Sequence, residues 1–263
     1  MIIGKSRREI EKMRAVGQLV GRVHQELRRL IKPGVTTIEL DRVAEKMIRD
    51  AGAVPAFKGY HGFPFTLCTS VNEEVVHGFP SKRELKDGDI ISIDCGAILG
   101  GYVGDAAKTH PVGNSVPKEW LRLISVTEEC LARAIDQCRV GKRVGDIGYA
   151  VQSYAEAQGM GVVRNFVGHG VGRKMHEDPQ IPNYGQPGTK EKIRAGYVFA
   201  VEPMINLGTQ ETKILKDGWT VVTLDGKPSA HVEHTVAITE DGPELLTYIE
   251  EFAPEQALVE AAG

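Results

Sequence analysis

"GDIISIDCGAILGGYVGDAAKTH", residues 88–110, has the composition of a β-hairpin with an unusual interior. β-branched residues lie on both sides of Gly100 and Gly101, and a two-glycine turn commonly joins antiparallel strands. Asp94 and Asp105 nevertheless fall inside the two predicted strands. Aspartate is a poor strand former, and a buried carboxylate without a partner is costly. The two acids therefore indicate a site with chemistry of its own.

The turn also predicts where the two acids lie relative to each other. If residues 99 and 102 pair beside the turn, Asp105 lies opposite Gly96. Because alternate side chains share a face of a strand, Asp94 and Asp105 are then diagonal neighbours, about 7–8 Å apart at the backbone. Carboxylates this close repel each other unless a shared proton or a metal ion neutralises them. The hairpin alone leaves both alternatives open.

The overall composition is that of an ordinary globular protein. The chain has 263 residues, 25% charged and 41% hydrophobic, which suits one large domain. A net charge of −3 predicts no specific nucleic-acid partner and no attraction to an anionic membrane. No apolar run reaches the about 18 residues that a transmembrane helix needs, and the short apolar start does not match a signal peptide. The four cysteines form no CxxC pair, which favours a reducing cytoplasm.

Two parts of the chain repeat the same order of predicted elements. Periodicity predicts helices at 7–31, 36–50 and 117–138 and strands at 65–71, 89–98, 102–109, 197–206, 219–224 and 231–238. "KPGVTTIELDRVAEKMIRDAG" aligns with "VGKRVGDIGYAVQSYAEAQG" at an offset of 107, and "KDGDIISID" aligns with "RAGYVFAVE" at an offset of 108. This pattern predicts two pseudo-symmetric halves, about 1–112 and 113–263, although chance similarity between generic helix–strand units would produce it too.

Three further residues share the strand setting of Asp94 and Asp105. His169 lies in "FVGHGVG", Glu202 in "VFAVEPMIN" and Glu233 in "SAHVEHTVAI". Four carboxylates and one imidazole suit divalent Mn, Fe(II), Co or Zn. The carboxylates carry more negative charge than one divalent ion needs, which favours two bridged ions. Any one of these acids could instead occupy a surface position or a salt bridge, but the whole set points to a metal site.

With these residues, the chain resembles the type I methionine aminopeptidases, which have the creatinase or "pita-bread" fold. The resemblance rests on "GYHGFPFTLCTSVNEEVVHGFP" (59–80), "DGDIISIDCGAILGGYVGDAAKT" (87–109), "NFVGHGVGRKMHEDP" (165–179), "VEPMIN" (201–206), "KDGWTVVT" (216–223) and "SAHVEHTVAIT" (229–239). These motifs follow the family's order between about residues 6 and 248. The resemblance implies an α/β (α+β) fold, with helices packed on a curved antiparallel sheet in a single catalytic domain, 1–263.

The resemblance also implies a role for each site residue. The implied metal ligands are Asp94, Asp105, His169, Glu202 and Glu233. The implied catalytic residues are His77, His176 and Glu202, and the implied substrate contacts are Tyr60, Phe63, Cys68, His77, His176 and Trp219. Taken singly, His77 would be an ordinary loop residue and His176 a surface histidine. Phe63 and Met175 depart from the tyrosine and the aromatic residue common in the family. Both keep the pocket apolar, so these departures concern fine specificity and not the reaction.

For function, the resemblance implies removal of the N-terminal methionine from nascent proteins and peptides when the second residue is small. Water activated by two divalent metal ions, Co, Mn, Fe(II) or Zn, would hydrolyse the first peptide bond. The partners would be the N-termini of nascent polypeptides at the ribosome, and we expect a cytoplasmic monomer. The chain begins close to its first predicted helix, as the short bacterial members do.

Three other functions compete with this interpretation. A peptidase for Xaa-Pro bonds would usually carry an additional N-terminal domain, for which the chain has no room. A metal-free binding protein of the same fold would have lost ligands, whereas all of them stand here. A two-metal phosphatase would need an anion pocket, and the sequence offers neither a P-loop nor an Arg/Lys-rich anion pocket in support of one.

Overall fold

The computed structural model describes residues 2–249. Its helices are α1 (Arg7–Leu30), α2 (Thr37–Asp50), α3 (Lys118–Gln137) and α4 (Val144–Ala157), and a 3₁₀ turn covers Tyr60–Gly62. The three helices predicted from periodicity are confirmed to within a residue or two at each end. At the start of α1, the Ser6 hydroxyl accepts a hydrogen bond from the backbone N–H of Glu9, and the Glu9 carboxylate closes a capping box.

Fifteen strands complete the described chain. They are β1 (Val54–Pro55), β2 (Leu67–Val71), β3 (Glu74–Val76), β4 (Ile90–Leu99), β5 (Tyr102–Pro111), β6 (Gly161–Val162), β7 (Gly168–Gly170), β8 (Glu177–Ile181), β9 (Val198–Val201), β10 (Met204–Asn206), β11 (Thr212–Ile214), β12 (Val221–Thr223), β13 (Ser229–His231), β14 (Glu233–Thr239) and β15 (Gly242–Leu245). The mixed α/β class predicted from the sequence is confirmed.

The main sheet is antiparallel and has nine strands. Its order is β1-β4-β5-β14-β9-β7-β8, with β2 also paired to β4 and β15 to β14. The register predicted for the central hairpin is confirmed, because Leu99 pairs with Tyr102 and Gly96 with Asp105. Two smaller sheets, β13-β10-β6 and β11-β12-β3, accompany the main sheet. Each proposed half contributes an antiparallel strand pair to this sheet, β4-β5 from the first half and β9-β14 from the second, which is consistent with the proposal of two related halves. The end of the second half, residues 250–263, lies outside the described residues.

Two segments predicted as continuous strands are in fact broken, which corrects the sequence prediction. The segment 197–206 divides into β9 and β10 at Glu202 and Pro203, and 231–238 divides into β13 and β14 at Val232. Pro203 lacks the N–H that a ladder requires, so the strand cannot continue through it. The backbone N–H of Val232 donates instead to the carbonyl of Pro203, at 3.3 Å. Each break therefore lets one chain segment contribute to both the main sheet and the sheet β13-β10-β6.

Two hydrophobic clusters fix the helices against the sheets. Side chains of α1 and α2 pack with Ile91, Ile93 and Ala106 of the central hairpin. Side chains of α3 and α4 pack with Phe199 and Val236 of the neighbouring strands. Because side chains alternate along a strand, Asp94 and Asp105 point away from the α1 and α2 cluster. The acids therefore lie on the face of β4 and β5 that α1 and α2 leave uncovered.

Between residues 2 and 249, no helix combines the length and the apolar character that a membrane span requires. The four cysteines are buried free thiols.

Candidate active site

A cavity of about 250 Å³ opens over the face of β4 and β5 that carries Asp94 and Asp105. All of the site residues predicted from the sequence line it: Asp94, Asp105, His169, Glu202 and Glu233, together with Tyr60, Phe63, Cys68, His77, His176 and Trp219. They come from strands and loops spread along the chain between residues 60 and 233. The structure thus brings every predicted site residue to one place, with the acidic and the aromatic side chains facing the same space.

Strand register places three of the carboxylates side by side. Asp94 in β4 and Glu233 in β14 both pair with Ala107 in β5, from opposite sides. Asp105 lies two residues away on β5, on the same face as Ala107. The short side chain of Ala107 leaves room between them. Three neighbouring strands therefore direct their carboxylates into a single small volume.

Glu202 approaches this volume from the break after β9, between two imidazoles. Its Oε1 lies 3.6 Å from Nε2 of His169, and its Oε2 lies 3.4 Å from Nε2 of His231. Asn183 donates its side-chain amide to the Glu202 carbonyl at 3.0 Å, which holds the broken backbone in place. The proline-induced break thus aims a carboxylate that a continuous strand would have placed elsewhere.

His169 has the hydrogen-bond pattern of a metal-binding histidine. Its Nδ1 lies 2.9 Å from the carbonyl oxygen of Gly170, so Nδ1–H donates and the Nε2 lone pair is left free. That lone pair faces Asp105 Oδ2 at 3.9 Å as well as Glu202. A lone pair facing two carboxylates is unfavourable by itself, and a cation between them removes the repulsion.

Unpartnered buried atoms provide the test of whether a metal fits. Asp94 Oδ1, Asp105 Oδ1, Glu233 Oε1 and His231 Nε2 have no hydrogen-bond partner among residues 2–249. Donor atoms of Asp105, His169 and Glu233 lie within 4.8 Å of one another, as do those of Glu202, His231 and Glu233. Ligands about 2.0–2.2 Å from a common ion lie roughly 3–4 Å apart, so these separations suit coordination. The donor set therefore fits divalent metal.

Burial and crowding change the protonation of the carboxylates when no cation is present. Burial is the main cause that raises the pKa of Asp94 to about 7 and that of Glu202 to about 8. Burial, followed by the charge of Asp94, raises the pKa of Asp105 well above its usual value. Burial, followed by the charge of Asp105, does the same for Glu233. The site is electrostatically incomplete without a cation, because its negative charges oppose one another in a buried volume.

Two further histidines lie at the edge of the donor cluster. The His176 ring is centred 4.2 Å from the His169 ring, and its Nδ1 lies 2.7 Å from the Tyr60 hydroxyl. His77 adopts a left-handed backbone, with φ of 60°, directly after β3. Burial lowers the pKa of His77 to about 4, so its imidazole is neutral at neutral pH.

Aromatic side chains form the apolar part of the cavity wall. Phe63 contacts Trp219 edge-on, with ring centres 5.1 Å apart, and Phe79 at 5.4 Å. Cys68 from β2 and Met175 add two sulfur atoms to this lining. Burial raises the pKa of Cys68 well above its usual value, so this thiol stays protonated. The wall is apolar and polarisable, which suits an unbranched thioether side chain.

His231 and Phe166 are among the residues of this site that sequence reasoning missed. His231 lies beside Glu202, and Phe166 packs against the His77 ring with centres 5.7 Å apart. His231 stands two residues before Glu233, and i and i+2 side chains share a face in a strand, so that signal was present. Nothing local marks Phe166, because its neighbour comes from a segment far away in the chain.

Comparisons with known proteins agree with this geometry. The model of Metallopeptidase family M24 matches residues 11–240. A methionine aminopeptidase from Clostridium perfringens is 54% identical over 249 residues, 95% of this chain and 100% of that protein. The structure of a methionine aminopeptidase from Thermotoga maritima superposes with a TM-score of 0.93 at 46% identity, covering 95% of this chain and 100% of that one.

A more distant structure separates fold from function. An Xaa-Pro dipeptidase from Bacillus anthracis superposes with a TM-score of 0.75 at 21% identity, covering 94% of this chain but 62% of that one. That likeness shows the shared fold alone. The full-length relatives, the matching family model and the carboxylate–histidine cluster lead to one assignment: the chain belongs to metallopeptidase family M24, and it groups there with the methionine aminopeptidases.

Proposed function

We propose that this protein removes the N-terminal methionine from nascent proteins and peptides whose second residue is small. The observation that carries the proposal is the cluster of buried carboxylate and imidazole atoms that have no hydrogen-bond partner among residues 2–249. They share one cavity of about 250 Å³ with an aromatic wall. Such a cluster suits hydrolysis, and the adjoining wall suits an apolar side chain. Its relatives at about half identity carry the name methionine aminopeptidase.

The metal site would use all of the predicted donors. Asp105 and Glu233 would hold the divalent ions together with Asp94 and His169, and Glu202 would complete the donor set. Mn, Fe(II), Co and Zn all suit this mixture of oxygen and nitrogen donors. When bound, the ions polarise the scissile carbonyl and make water acidic enough to attack at neutral pH.

The remaining side chains would move protons and hold the substrate. Glu202 would accept the proton of the attacking water and pass it towards the leaving amine, because a positioned carboxylate can carry a proton from one to the other. Nδ1 of His176 would accept a hydrogen bond from the Tyr60 hydroxyl, and its Nε2–H would donate a hydrogen bond to the developing oxyanion. His77, whose imidazole is neutral at neutral pH, would contact the backbone at the second substrate residue.

Selectivity would come from the shape of the cavity. Tyr60, Phe63, Cys68 and Trp219 line a slot for a methionine side chain. Sulfur–aromatic contacts contribute about 0.3–1.5 kcal/mol each. The second substrate residue would lie near His77, whose ring contacts Phe166 and Trp219, and we expect only small side chains to fit there. We further propose that the protein acts as a cytoplasmic monomer on chains emerging from the ribosome.

The test measures kcat/KM on Met-X-Ser peptides after reconstitution with Mn(II), Fe(II) or Co(II). We expect cleavage when X is Gly, Ala or Ser, and almost none when X is Lys, Glu, Leu or Phe. Leu-Ala-Ser should be poor, because leucine does not reach the end of the slot. Formyl-Met-Ala-Ser should resist cleavage, because the capped amine can no longer bind metal.

Three results would each remove one part of the proposal. Full activity after exhaustive chelation would exclude a metal mechanism. Equal rates on Met-Ala-Ser and Met-Lys-Ser would exclude selection for a small second residue. Equal rates on the free and formylated peptides would exclude recognition of the α-amine.

A further inference from the structure

His231 is a buried imidazole whose Nε2 faces the acidic cluster. The residue is 2% exposed, and its Nε2 has no hydrogen-bond partner in the described part of the chain. That nitrogen lies 3.4 Å from Glu202 Oε2, and it lies within 4.8 Å of donor atoms of both Glu202 and Glu233. A buried ring nitrogen between two carboxylates is placed as a ligand would be.

The backbone around His231 is held in this position by two hydroxyl side chains. The His231 N–H donates to Thr109 Oγ1 at 2.9 Å, and the Thr109 hydroxyl donates to the His231 carbonyl at 2.7 Å. Ser92 Oγ lies 2.8 Å from Thr109 Oγ1 and 3.3 Å from the His231 nitrogen. These partners stand on β4 and β5, the same strands that carry Asp94 and Asp105. These hydrogen bonds hold the main chain at His231 against the two strands that carry the acids.

We propose that His231 is a sixth metal ligand, which adds a second imidazole to that of His169. The inference rests on the proposed metallopeptidase function, because it concerns the same ions. Imidazole favours Zn, Fe and Co, whereas carboxylate-only sites favour Mn. His231 therefore shifts the preference of the site towards Co(II), Zn(II) and Fe(II) relative to Mn(II).

The competing role for His231 is that of a positioning residue. Its ring N–H would then donate to Glu202 without touching metal, and glutamine could replace that donor. A ligand role differs in its spectroscopic signature, because only an imidazole bound to a paramagnetic ion shows a strongly shifted N–H proton. The two roles can therefore be separated without measuring catalysis.

The decisive experiment is proton NMR of the full chain loaded with one and then two equivalents of Co(II), recorded in H₂O and in D₂O. The wild type should give two strongly shifted, solvent-exchangeable imidazole N–H signals. His231→Gln and His169→Gln should each lose a different one. A single signal in the wild type, or two signals in His231→Gln, would overturn the proposal.

A matched control uses a buried imidazole away from the acidic cluster. His110 is 8% exposed, and its Nε2 also lacks a partner among the described residues, but it lines a different cavity with His24 and Lys108. His110→Gln should keep both shifted signals. Its spectrum therefore separates loss of a ligand from the general effect of removing a buried histidine.

Calorimetric titration of metal-free protein adds a second readout. His231→Gln should bind Co(II) about 10–100-fold more weakly, with a smaller loss for Mn(II), whereas His110→Gln should match the wild type. Equal losses for both metals would contradict the nitrogen-donor assignment.

If the wild type cleaves Met-Ala-Ser but shows a single shifted N–H signal, this inference alone is rejected. Two signals in a protein inactive on that peptide would reject the proposed function alone.

Discussion

The Tyr60 hydroxyl, 2.7 Å from Nδ1 of His176, gives that ring a defined orientation towards the metal donors. We expect His176→Ala to lower kcat by roughly 10²–10³, the usual cost of losing an oxyanion donor, while metal content stays unchanged. Tyr60→Phe should lower kcat by about fivefold, because one orienting hydrogen bond is worth about 1 kcal/mol.

Steady-state kinetics and metal analysis on the same samples check this prediction. Tyr154→Phe, a matched change on α4 where the ring packs against Arg133, should leave kcat unaltered. Loss of bound metal from His176→Ala would instead make His176 a ligand, and an unchanged kcat would remove it from the reaction.

Glu202 makes the stability of the metal-free protein depend on pH. Burial raises its pKa from 4.5 to about 8, so between these values the folded form holds a proton that the unfolded chain releases. The carboxyl therefore opposes folding increasingly as the pH rises from about 4.5 to 8, and the effect then levels off. Glu202→Gln, which cannot ionise, should gain free energy of unfolding relative to wild type across that window.

Urea unfolding of metal-free wild type and Glu202→Gln from pH 5 to pH 9 measures this difference. The comparison cancels the buried histidines, whose lowered pKa values act in the opposite direction. A flat curve for Glu202→Gln would show that this carboxyl ionises normally in the folded protein.

For single residues, the sequence predicts those contacts that depend on residues close by in the chain. The Gly100-Gly101 turn fixes the hairpin register, so the diagonal placement of Asp94 and Asp105 could be calculated from local sequence. The contact of His231 with Glu202 could not, because it depends on two strand breaks that meet in space. Residue identity predicted the donors, and tertiary pairing decided which of them meet.

Among the elements, the strand breaks carry the most functional information and were the hardest to predict. The apolar run before Glu202 matches a continuous buried strand, and only Pro203 hints at an interruption. Whether a proline ends a strand or is tolerated within it depends on whether a neighbouring strand would need a backbone N–H at that position, and proline has none. The helices were easier, because their periodicity and the Ser6 cap are encoded within a few residues.

Helix α1 contacts the segment after β15 through a glycine. A methyl group at Gly17 would lie 2.7 Å from the carbonyl carbon of Leu246, which is closer than packed atoms allow. Alanine favours helix over glycine by about 1 kcal/mol, so Gly17→Ala would stabilise an isolated helix. We expect the opposite in the protein, a loss of about 1–3 kcal/mol, because the clash outweighs propensity.

Urea unfolding in the presence of saturating metal measures the loss. Gly4→Ala provides the control, because no atom lies within 4 Å of the added methyl group there. Equal stability of Gly17→Ala and Gly4→Ala would mean that α1 can move away from Leu246 at no cost.

In the molecule as a whole, the proposed metal ligands come both from the strands packed with α1 and α2 and from the segments packed with α3 and α4. Asp94 and Asp105 stand on strands packed under α1 and α2, whereas Glu202 and Glu233 belong to segments packed with α3 and α4. Metal would thus join parts of the chain that otherwise meet through sheet pairing and apolar contacts. It would also remove the repulsion among buried carboxylates, so its binding should stabilise the entire fold.

Thermal unfolding with and without metal tests this coupling. A ligand at about 100 times its Kd stabilises the folded state by about 2.7 kcal/mol, which is a shift of roughly 5–10 °C for a chain of this size. We expect Co(II) or Mn(II) to raise the Tm of chelated wild type by that amount. Asp105→Asn should show little shift, because it removes a donor shared by both sides of the site. His110→Gln should shift as wild type does. A full shift in Asp105→Asn would place the stabilising ion elsewhere, whereas no shift in wild type would mean that the acidic cluster does not join the two halves through metal.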